Sequence, residues 1–142
     1  MCLNTTKNCF RYAKNDIECY KVLVEGFYHY ETPFAREIVR YSHLYGKEPF
    51  TAKGRAYTRL FNNSRSIDIG YIHTFTNLEN AIKDCYCWYG IYLPNDLHIF
   101  KCVIPKGTRY AIGQFKEWKD AYASKQIIFK EEIEYERVPN QP

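Results

Sequence analysis

Short β-prone runs separated by turn-forming residues dominate this chain and limit the folds that it can adopt. Three of these runs, Ile17–Val24, Ile67–Phe75 and Leu97–Ile104, are rich in β-branched and aromatic residues. One stretch, about residues 77–89, has the apolar spacing of an amphipathic helix. The pattern predicts an α+β fold: a mostly antiparallel, twisted β-sheet with one main amphipathic helix packed on it.

The predicted helix begins with a capping motif. Thr76 and Glu79 stand three residues apart, the spacing at which a hydroxyl caps a helix amide and a carboxylate returns the hydrogen bond. Apolar side chains then recur at helical spacing, and Gly90 ends the helix. We therefore expect one apolar face, which includes Cys85, to lie against the sheet.

The rest of the chain divides into a lead-in, one domain and a tail. Residues 1–16 are polar and mixed, which predicts an irregular N-terminal lead-in. Residues 17–136 are expected to form a single α+β domain, and residues 137–142 a frayed tail. Residues 34–50 are compatible with a short helix or a strand, and a helical turn is expected around Trp118.

The last predicted strand, Lys125–Tyr135, alternates apolar and polar residues. Strict alternation places its apolar side chains on one side of the sheet: Ile127, Phe129, Ile133 and Tyr135. The acidic residues of the same run, including Glu131 and Glu132, are expected on a solvated face, with a catalytic carboxylate among them as the alternative.

Positive charge is concentrated in the first half of the chain. The 142 residues carry a net charge of +4, and residues 1–66 hold 11 basic and 6 acidic side chains. Cations and rings alternate in one segment, an arrangement suited to phosphate binding and base stacking: Lys53, Arg55, Tyr57 and Arg59. The alternative is an edge strand whose cations discourage further strand pairing. The mild net charge allows a nucleic-acid partner but does not favour one.

The chain is also rich in tyrosine, with 14 residues of this type. Each buried tyrosine hydroxyl needs a hydrogen-bond partner, so a core accommodates only part of this number. Five tyrosines are close together in the basic half: Tyr28, Tyr30, Tyr41, Tyr45 and Tyr57. Because tyrosine and arginine are enriched at binding surfaces, we expect some of these side chains to contact a partner.

A second group of candidate ligand-binding residues surrounds the start of the predicted helix. Helix N-termini attract anions through their free amides and their dipole. The residues expected there are His73, Thr74, Thr76 and Asn77. Lys106 and Arg109 flank a glycine turn and would complete the anion site; the alternative is a β-turn with two solvated charges.

Cysteine usage and the start of the chain bear on the cellular compartment. No apolar run of signal-peptide length follows Met1, and no segment approaches the length of an apolar membrane span. We therefore expect a cytoplasmic protein with free thiols at its six cysteines. Cys85 and Cys87 stand two apart on the predicted helix and would not face one ion, so no metal site is expected.

Four segments form a series along the chain: Cys19–Leu23, Gly70–Ala81, Lys101–Tyr110 and Tyr122–Ile128. This series resembles a loose set of small uncharacterised proteins from gut bacteria and their phages. The resemblance implies a phage or mobile-element accessory protein in the cytoplasm of a bacterial host cell, and it implies no particular chemistry.

The turn Ile104–Thr108 and the later strand Gln126–Glu132 are similar to the C-terminal half of the ADP-ribosyltransferase fold. That resemblance implies a split, strongly twisted sheet with NAD bound in the cleft. It also implies an Arg or His on the first strand, a Ser or Tyr in the centre and a Glu near the end.

The chain departs from this triad, because its first strand carries Tyr20 and Lys21. The partial substitutes are His73, Thr74 and either Glu131 or Glu132. The catalytic candidates in such an enzyme would be Tyr20, His73, Glu131 and Glu132.

The function predicted from these patterns is that of a small intracellular binding module, a phage or mobile-element accessory protein. It would engage a host protein or a phosphate-bearing ligand such as a nucleotide, without a cofactor. One alternative is an ADP-ribosyltransferase-like enzyme that uses NAD, with Glu131 or Glu132 stabilising the oxocarbenium-like transition state. The other is a structural component of a virion.

Overall fold

The structure is a computed structural model that describes residues 3–6, 10–33, 37–46, 48–52, 58–61, 64–67, 71–115 and 119–137. Two of the β-prone runs, Ile17–Val24 and Leu97–Ile104, lie at the centre of the sheet. The prediction of one strand over Ile67–Phe75 is wrong, because Ser64–Ile67 and Ile72–Phe75 are separate strands that pair with different neighbours. Within the described residues the fold is α+β, a mostly antiparallel twisted sheet with one main helix, as predicted. The strands are β1 (Leu3–Thr6), β2 (Arg11–Tyr12), β3 (Ile17–Glu25), β4 (Tyr30–Glu31), β5 (Ile38–Val39), β6 (Phe50–Thr51), β7 (Thr58–Phe61), β8 (Ser64–Ile67), β9 (Ile72–Phe75), β10 (Leu97–Ile104), β11 (Arg109–Phe115), β12 (Lys119–Ser124) and β13 (Gln126–Ile133). The helices are α1 (Tyr41–Tyr45) and α2 (Leu78–Trp88), and a short 3-10 turn spans Pro94–Asp96.

Neighbouring strands are hydrogen-bonded in the order β6-β13-β10-β3-β9-β12-β11-β1-β8-β7. β3 pairs with β10 from end to end, but on its other side it meets two different strands. β9 faces it only at Tyr20, and β4 faces it at Val24 and Glu25. The sheet is therefore split beside β3, between Tyr20 and Val24.

The two faces of the sheet support two separate hydrophobic cores. On the first face, α2 packs Ala81 and Cys85 over Val22, Val24 and Leu97 of the central strands. The burial of Cys85 confirms the predicted apolar face of the helix. On the second face, residues of the sheet pack with side chains contributed by α1 and β6. The members of this core include Leu23, Leu44, Phe50, Phe100, Ile127 and Phe129.

The pairing of β13 with β10 contains a β-bulge. Lys101 faces Glu131, whereas the next residue of β10 faces Phe129, so β13 carries one extra residue. Ile127 and Phe129 consequently pack in the second core, while Ile133 and Tyr135 pack in the first. The prediction that these four side chains share one side is wrong, because an extra residue reverses the alternation beyond it.

The N-cap of α2 is Asn77, one residue after the predicted one. The Asn77 Oδ1 atom accepts a hydrogen bond from the Asn80 amide at 2.8 Å. Thr76 is instead held against β12, since its amide and its hydroxyl both donate to the carbonyl of Asp120, at 3.2 and 3.4 Å. The prediction of Thr76 as the cap is wrong because β12 already holds that residue.

Two further segments differ from the prediction. The structure places β1 and β2 inside residues 1–16, which the sequence predicts to be irregular; β1 is a polar strand that forms between β8 and β11. Residues 119–124 form strand β12 rather than a helical turn, because they pair with both β9 and β11. Trp118 itself lies outside the described residues.

The ambiguous segment, residues 34–50, contains both kinds of structure, namely β5, α1 and the first residue of β6. At the other end of the chain, Arg137 is anchored, since its guanidinium donates to the carbonyls of Leu97 and Pro94 at 3.0 and 3.1 Å. Residues 138–142 lie outside the described residues, so the frayed tail from residue 137 stays a prediction.

Candidate functional site

Two loops leave the sheet at the same end. The first connects β3 to β4, and its turn is closed by the Gly26 amide, which donates to the carbonyl of His29 at 2.8 Å. The second connects α2 to β10. Because Leu97 at the start of β10 faces Val24 near the end of β3, both loops lie at this end of the central strand pair.

Among the side chains whose burial the structure describes, these loops carry the most exposed large apolar ones. Phe27 and Tyr28 in the first loop are 96% and 87% exposed, and Ile91 and Leu93 in the second are 71% and 70% exposed. We refer to these four residues as the apolar end. Single exposed apolar residues are normal on protein surfaces, but several at one end are typical of an interaction site.

A cluster of tyrosines and glutamates lies next to the apolar end, on the face of the sheet opposite α2. Tyr30 is buried and faces Glu25 in the β3–β4 pair. Its ring meets that of Tyr41 edge-on at 6.1 Å, and Tyr41 stacks on Tyr45 at 6.2 Å between centroids. Tyr41 and Tyr45 are 47% and 68% exposed. We call Glu25, Tyr30, Tyr41, Tyr45 and Glu132 the tyrosine–glutamate cluster.

His98 joins the two carboxylates of this cluster. Its Nε2 lies 3.0 Å from the Glu25 carboxylate. Its Nδ1 lies 3.3 Å from the Glu132 carboxylate, close enough for an ion pair but without the alignment of a hydrogen bond. Both carboxylates remain partly exposed. Burial raises the pKa of Tyr30 to about 12, and the charges of Glu25 and Glu132 add to this effect. The cluster is therefore a partly exposed region of negative potential.

The split beside β3 is bridged by a lysine. The Lys21 Nζ atom donates to the carbonyl of His73 on β9 at 2.7 Å, and burial lowers the pKa of Lys21. Cys19 and Cys102 face each other beside it on the same face of the sheet. Burial raises the pKa of Cys19 to about 12 and the pKa of Cys102 well above its ordinary value. Thiols with raised pKa values are poor nucleophiles, so this arrangement is suited to a structural bridge.

The predicted basic segment falls largely outside the described residues. Lys53, Arg55 and Tyr57 lie there, and nothing in the described part of the chain bears on them. Arg59 belongs to β7, which is the last strand of the sheet order and five places away from β9. Phosphate binding by these four residues stays a prediction.

The residues predicted around the helix start are next to each other but already engaged in the fold. Thr74 is buried, with its hydroxyl close to the Cys19 thiol but without hydrogen-bond geometry. His73 holds the Lys21 ammonium group through its carbonyl. The side chain of Asn77 takes up one of the helix amides that an anion would use.

Lys106 and Arg109 lie at a different place from the helix start. The Arg109 guanidinium stacks over the Phe10 ring at 4.5 Å. β12 pairs with both β11 and β9, and this pairing puts the residue after Arg109 level with Ile72, the first residue of β9. Thr76 directly follows the last residue of β9, so it lies at the opposite end of that strand. The described structure therefore does not bring these two cations to the helix start.

The four catalytic candidates divide between the two faces of the sheet. Lys101 faces Tyr20 on one side and Glu131 on the other, so the three residues share the face that carries α2. His73 lies on the same face of β9, by the alternation of the strand. Glu132 lies on the opposite face, beside His98.

Sequence reasoning singled out part of this surface and missed the rest. Tyr30, Tyr41 and Tyr45, which are close together in sequence, also contact one another in the structure, Tyr41 meeting both of the other rings. Their role in binding stays a prediction. Phe27 and Ile91 were not identified. The sequence feature that could have identified them is their position in turn segments, because polar residues are the norm in turns and these two are large and apolar.

The chain matches no protein-family model, no curated protein and no solved structure. Among the described residues, no helix combines the length and apolar character needed to cross a membrane. The described part of the chain also contains no group of three or more His, Cys, Asp or Glu residues arranged to hold a metal ion. The cytoplasmic location stays a prediction.

Proposed function

We propose that the protein is a small binding module that recognises another protein through the apolar end. One observation carries this proposal: four large apolar side chains, each 70–96% exposed, occupy two loops at the same end of the sheet. Exposing so much apolar surface opposes stability and solubility in an isolated molecule, and its burial against a partner reverses that cost.

The chemistry of the loops fits this role. Phe27 and Tyr28 supply large contact areas with few rotatable bonds, which lowers the entropy lost on binding. The hydrogen bond between Gly26 and His29 closes the turn that presents them, so the backbone that carries the two rings is held in place before binding. The resemblance to small uncharacterised proteins of gut bacteria and their phages supports one class of partner, a protein of the host cell.

A pair of substitutions, Phe27→Ser and Ile91→Ser, should remove the interaction, because it takes one anchor from each loop. With tagged protein isolated from the host cell and its bound proteins quantified by mass spectrometry, we expect recovery of the partner to fall at least about tenfold. The matched control is Tyr12→Ser, which removes an exposed ring at the far end of the central strands and should leave recovery unchanged.

Three results contradict this proposal. In the first, the double variant retains its partner. In the second, the Tyr12→Ser control loses the partner to the same extent as the double variant. In the third, the parent protein recovers no partner above an untagged control. Circular dichroism of each variant checks that the fold is kept, as we expect for substitutions at exposed positions.

A second candidate function, NAD-using group transfer, is favoured by one observation. Tyr20, His73 and Glu131 share one face of neighbouring strands, as a site that holds NAD requires. Bound there, NAD would supply a glycosidic bond that breaks between ribose and nicotinamide, and Glu131 would stabilise the positive charge that develops on the ribose.

The test of this candidate compares two adjacent glutamates. If the protein cleaves NAD, Glu131→Gln should reduce the release of nicotinamide at least about 100-fold, since the charge that stabilises the transition state is lost. Glu132→Gln changes the opposite face and should leave the rate unchanged. Chromatography of the reaction mixture measures nicotinamide, and the absence of release from the parent protein excludes the candidate.

A further inference from the structure

We propose that the tyrosine–glutamate cluster binds a lysine or arginine side chain of the partner protein, so that the recognised segment is both apolar and basic. This inference rests on the proposed function and specifies the chemistry of the partner. It follows from the ring geometry, the charge and the position of the cluster.

The rings of the cluster offer a cation a surface to which it is attracted. A cation within about 6 Å of a ring centroid interacts favourably with the negative face of the ring. Tyr41 and Tyr45 stack on each other and are both partly exposed, so the outer surface of the pair remains accessible to a ligand. The described cation–ring contacts involve other rings, namely Phe10, Tyr71, Tyr110 and Tyr135.

The carboxylates of the cluster make the electrostatic potential of this surface negative. Glu25 and Glu132 lie on either side of His98 and near the hydroxyl end of Tyr30. Even a fully protonated His98 would leave one net negative charge among these three groups. A lysine or arginine would therefore gain Coulombic attraction in addition to contact with the rings, whereas an acidic or phosphorylated segment would be repelled.

The position of the cluster points to a protein segment as the ligand. Glu25 is the last residue of β3, and Phe27 at the apolar end follows two residues later in the chain. Two residues span at most about 7 Å, so one short segment of a partner reaches both surfaces. An apolar side chain of that segment would pack on the apolar end while a neighbouring cation contacts the cluster.

The experiment is a selection of short random peptides displayed on phage against the purified protein. We expect the enriched peptides to carry lysine or arginine beside apolar residues. One enriched peptide is then synthesised and titrated by calorimetry against variants of the protein. Each variant replaces an exposed side chain of the cluster and leaves the buried residues unchanged. The expected loss of affinity is about 3- to 30-fold for Tyr45→Leu and for Glu25→Gln, and replacing the basic residue of the peptide with norleucine should have a similar effect.

Matched controls come from elsewhere on the molecule. Glu79→Gln removes an exposed carboxylate from α2, on the other face of the sheet, and Tyr12→Leu removes an exposed ring at the far end of the central strands. Both should bind the peptide like the parent protein. Raising the salt concentration should weaken the parent more than Glu25→Gln, because part of the attraction is Coulombic.

Each other outcome overturns the inference. If the enriched peptides are apolar, lack basic residues and still need Phe27 for binding, the inference is overturned. The proposed function is not contradicted by that result. Affinity for tetramethylammonium equal to that for the peptide shows a small-cation site instead. A selection that enriches acidic peptides contradicts the charge argument, and a selection that enriches nothing contradicts both this inference and peptide recognition by the apolar end.

Discussion

Replacing Phe100 with alanine should lower the free energy of unfolding by about 3–5 kcal/mol, the usual loss for a buried phenylalanine. Phe100 is fully buried on the central strand β10. Its ring meets the rings of Tyr30 and Phe129 edge-on, at 5.6 and 5.7 Å between centroids. The substitution therefore opens a cavity that rigid aromatic neighbours fill poorly. Urea denaturation followed by circular dichroism measures the loss.

The matched substitution is Phe27→Ala, which removes the same side chain from an exposed position. Its cost should lie within about 0.5 kcal/mol, as for other surface substitutions. A cost for Phe27→Ala as large as that for Phe100→Ala would mean that the Phe27 ring is buried, and it would remove the basis of the proposed function. The pair of variants therefore tests the core and the apolar end together.

The second prediction concerns alkaline pH. Between pH 7 and about pH 10.5 the parent protein should lose about 2 kcal/mol more stability than Cys19→Ala. Burial raises the pKa of Cys19 from 9.0 to about 12, so above pH 9 the unfolded chain releases a proton that the folded protein keeps. The stabilising contribution is complete below pH 9 and is lost as the pH rises towards 12. Each pH unit in that range corresponds to about 1.4 kcal/mol.

The comparison between parent and variant is necessary because Lys21 acts in the opposite direction. Burial lowers the pKa of Lys21, so this residue makes the protein more stable as the pH rises towards 10.5. That contribution is present in both proteins and is largely removed by the difference. Cys87→Ala, at an exposed position of α2, serves as the control and should follow the parent. An equal loss for Cys19→Ala and the parent would contradict the burial of this thiol.

Much of the fold could be predicted because local patterns agree with the tertiary structure. The run Leu97–Ile104 is β-prone along its whole length and becomes a central strand, and the spacing of Ala81 and Cys85 predicts which side of α2 is buried. The errors arise where tertiary contacts decide. Nothing local distinguishes Thr76 from Asn77 as the cap until the carbonyl of Asp120 is placed beside Thr76.

The candidate site was less predictable because exposure depends on how distant segments pack. The tyrosine count suggested a binding surface, but only the pairing of β4 with β3 places Tyr30 beside Glu25. Glu25 and His98 are 73 residues apart in sequence, and no local pattern connects them. The basic segment had the more conspicuous pattern, and Arg59 is now placed on a distant strand of the sheet.

The bulge in β13 has a consequence for how the protein loses its structure. Because of the extra residue, this strand supplies Phe129 to one hydrophobic core and Ile133 to the other. Detaching β13 from β10 would therefore expose both cores to water at once. We therefore expect loss of this strand to weaken both hydrophobic cores together.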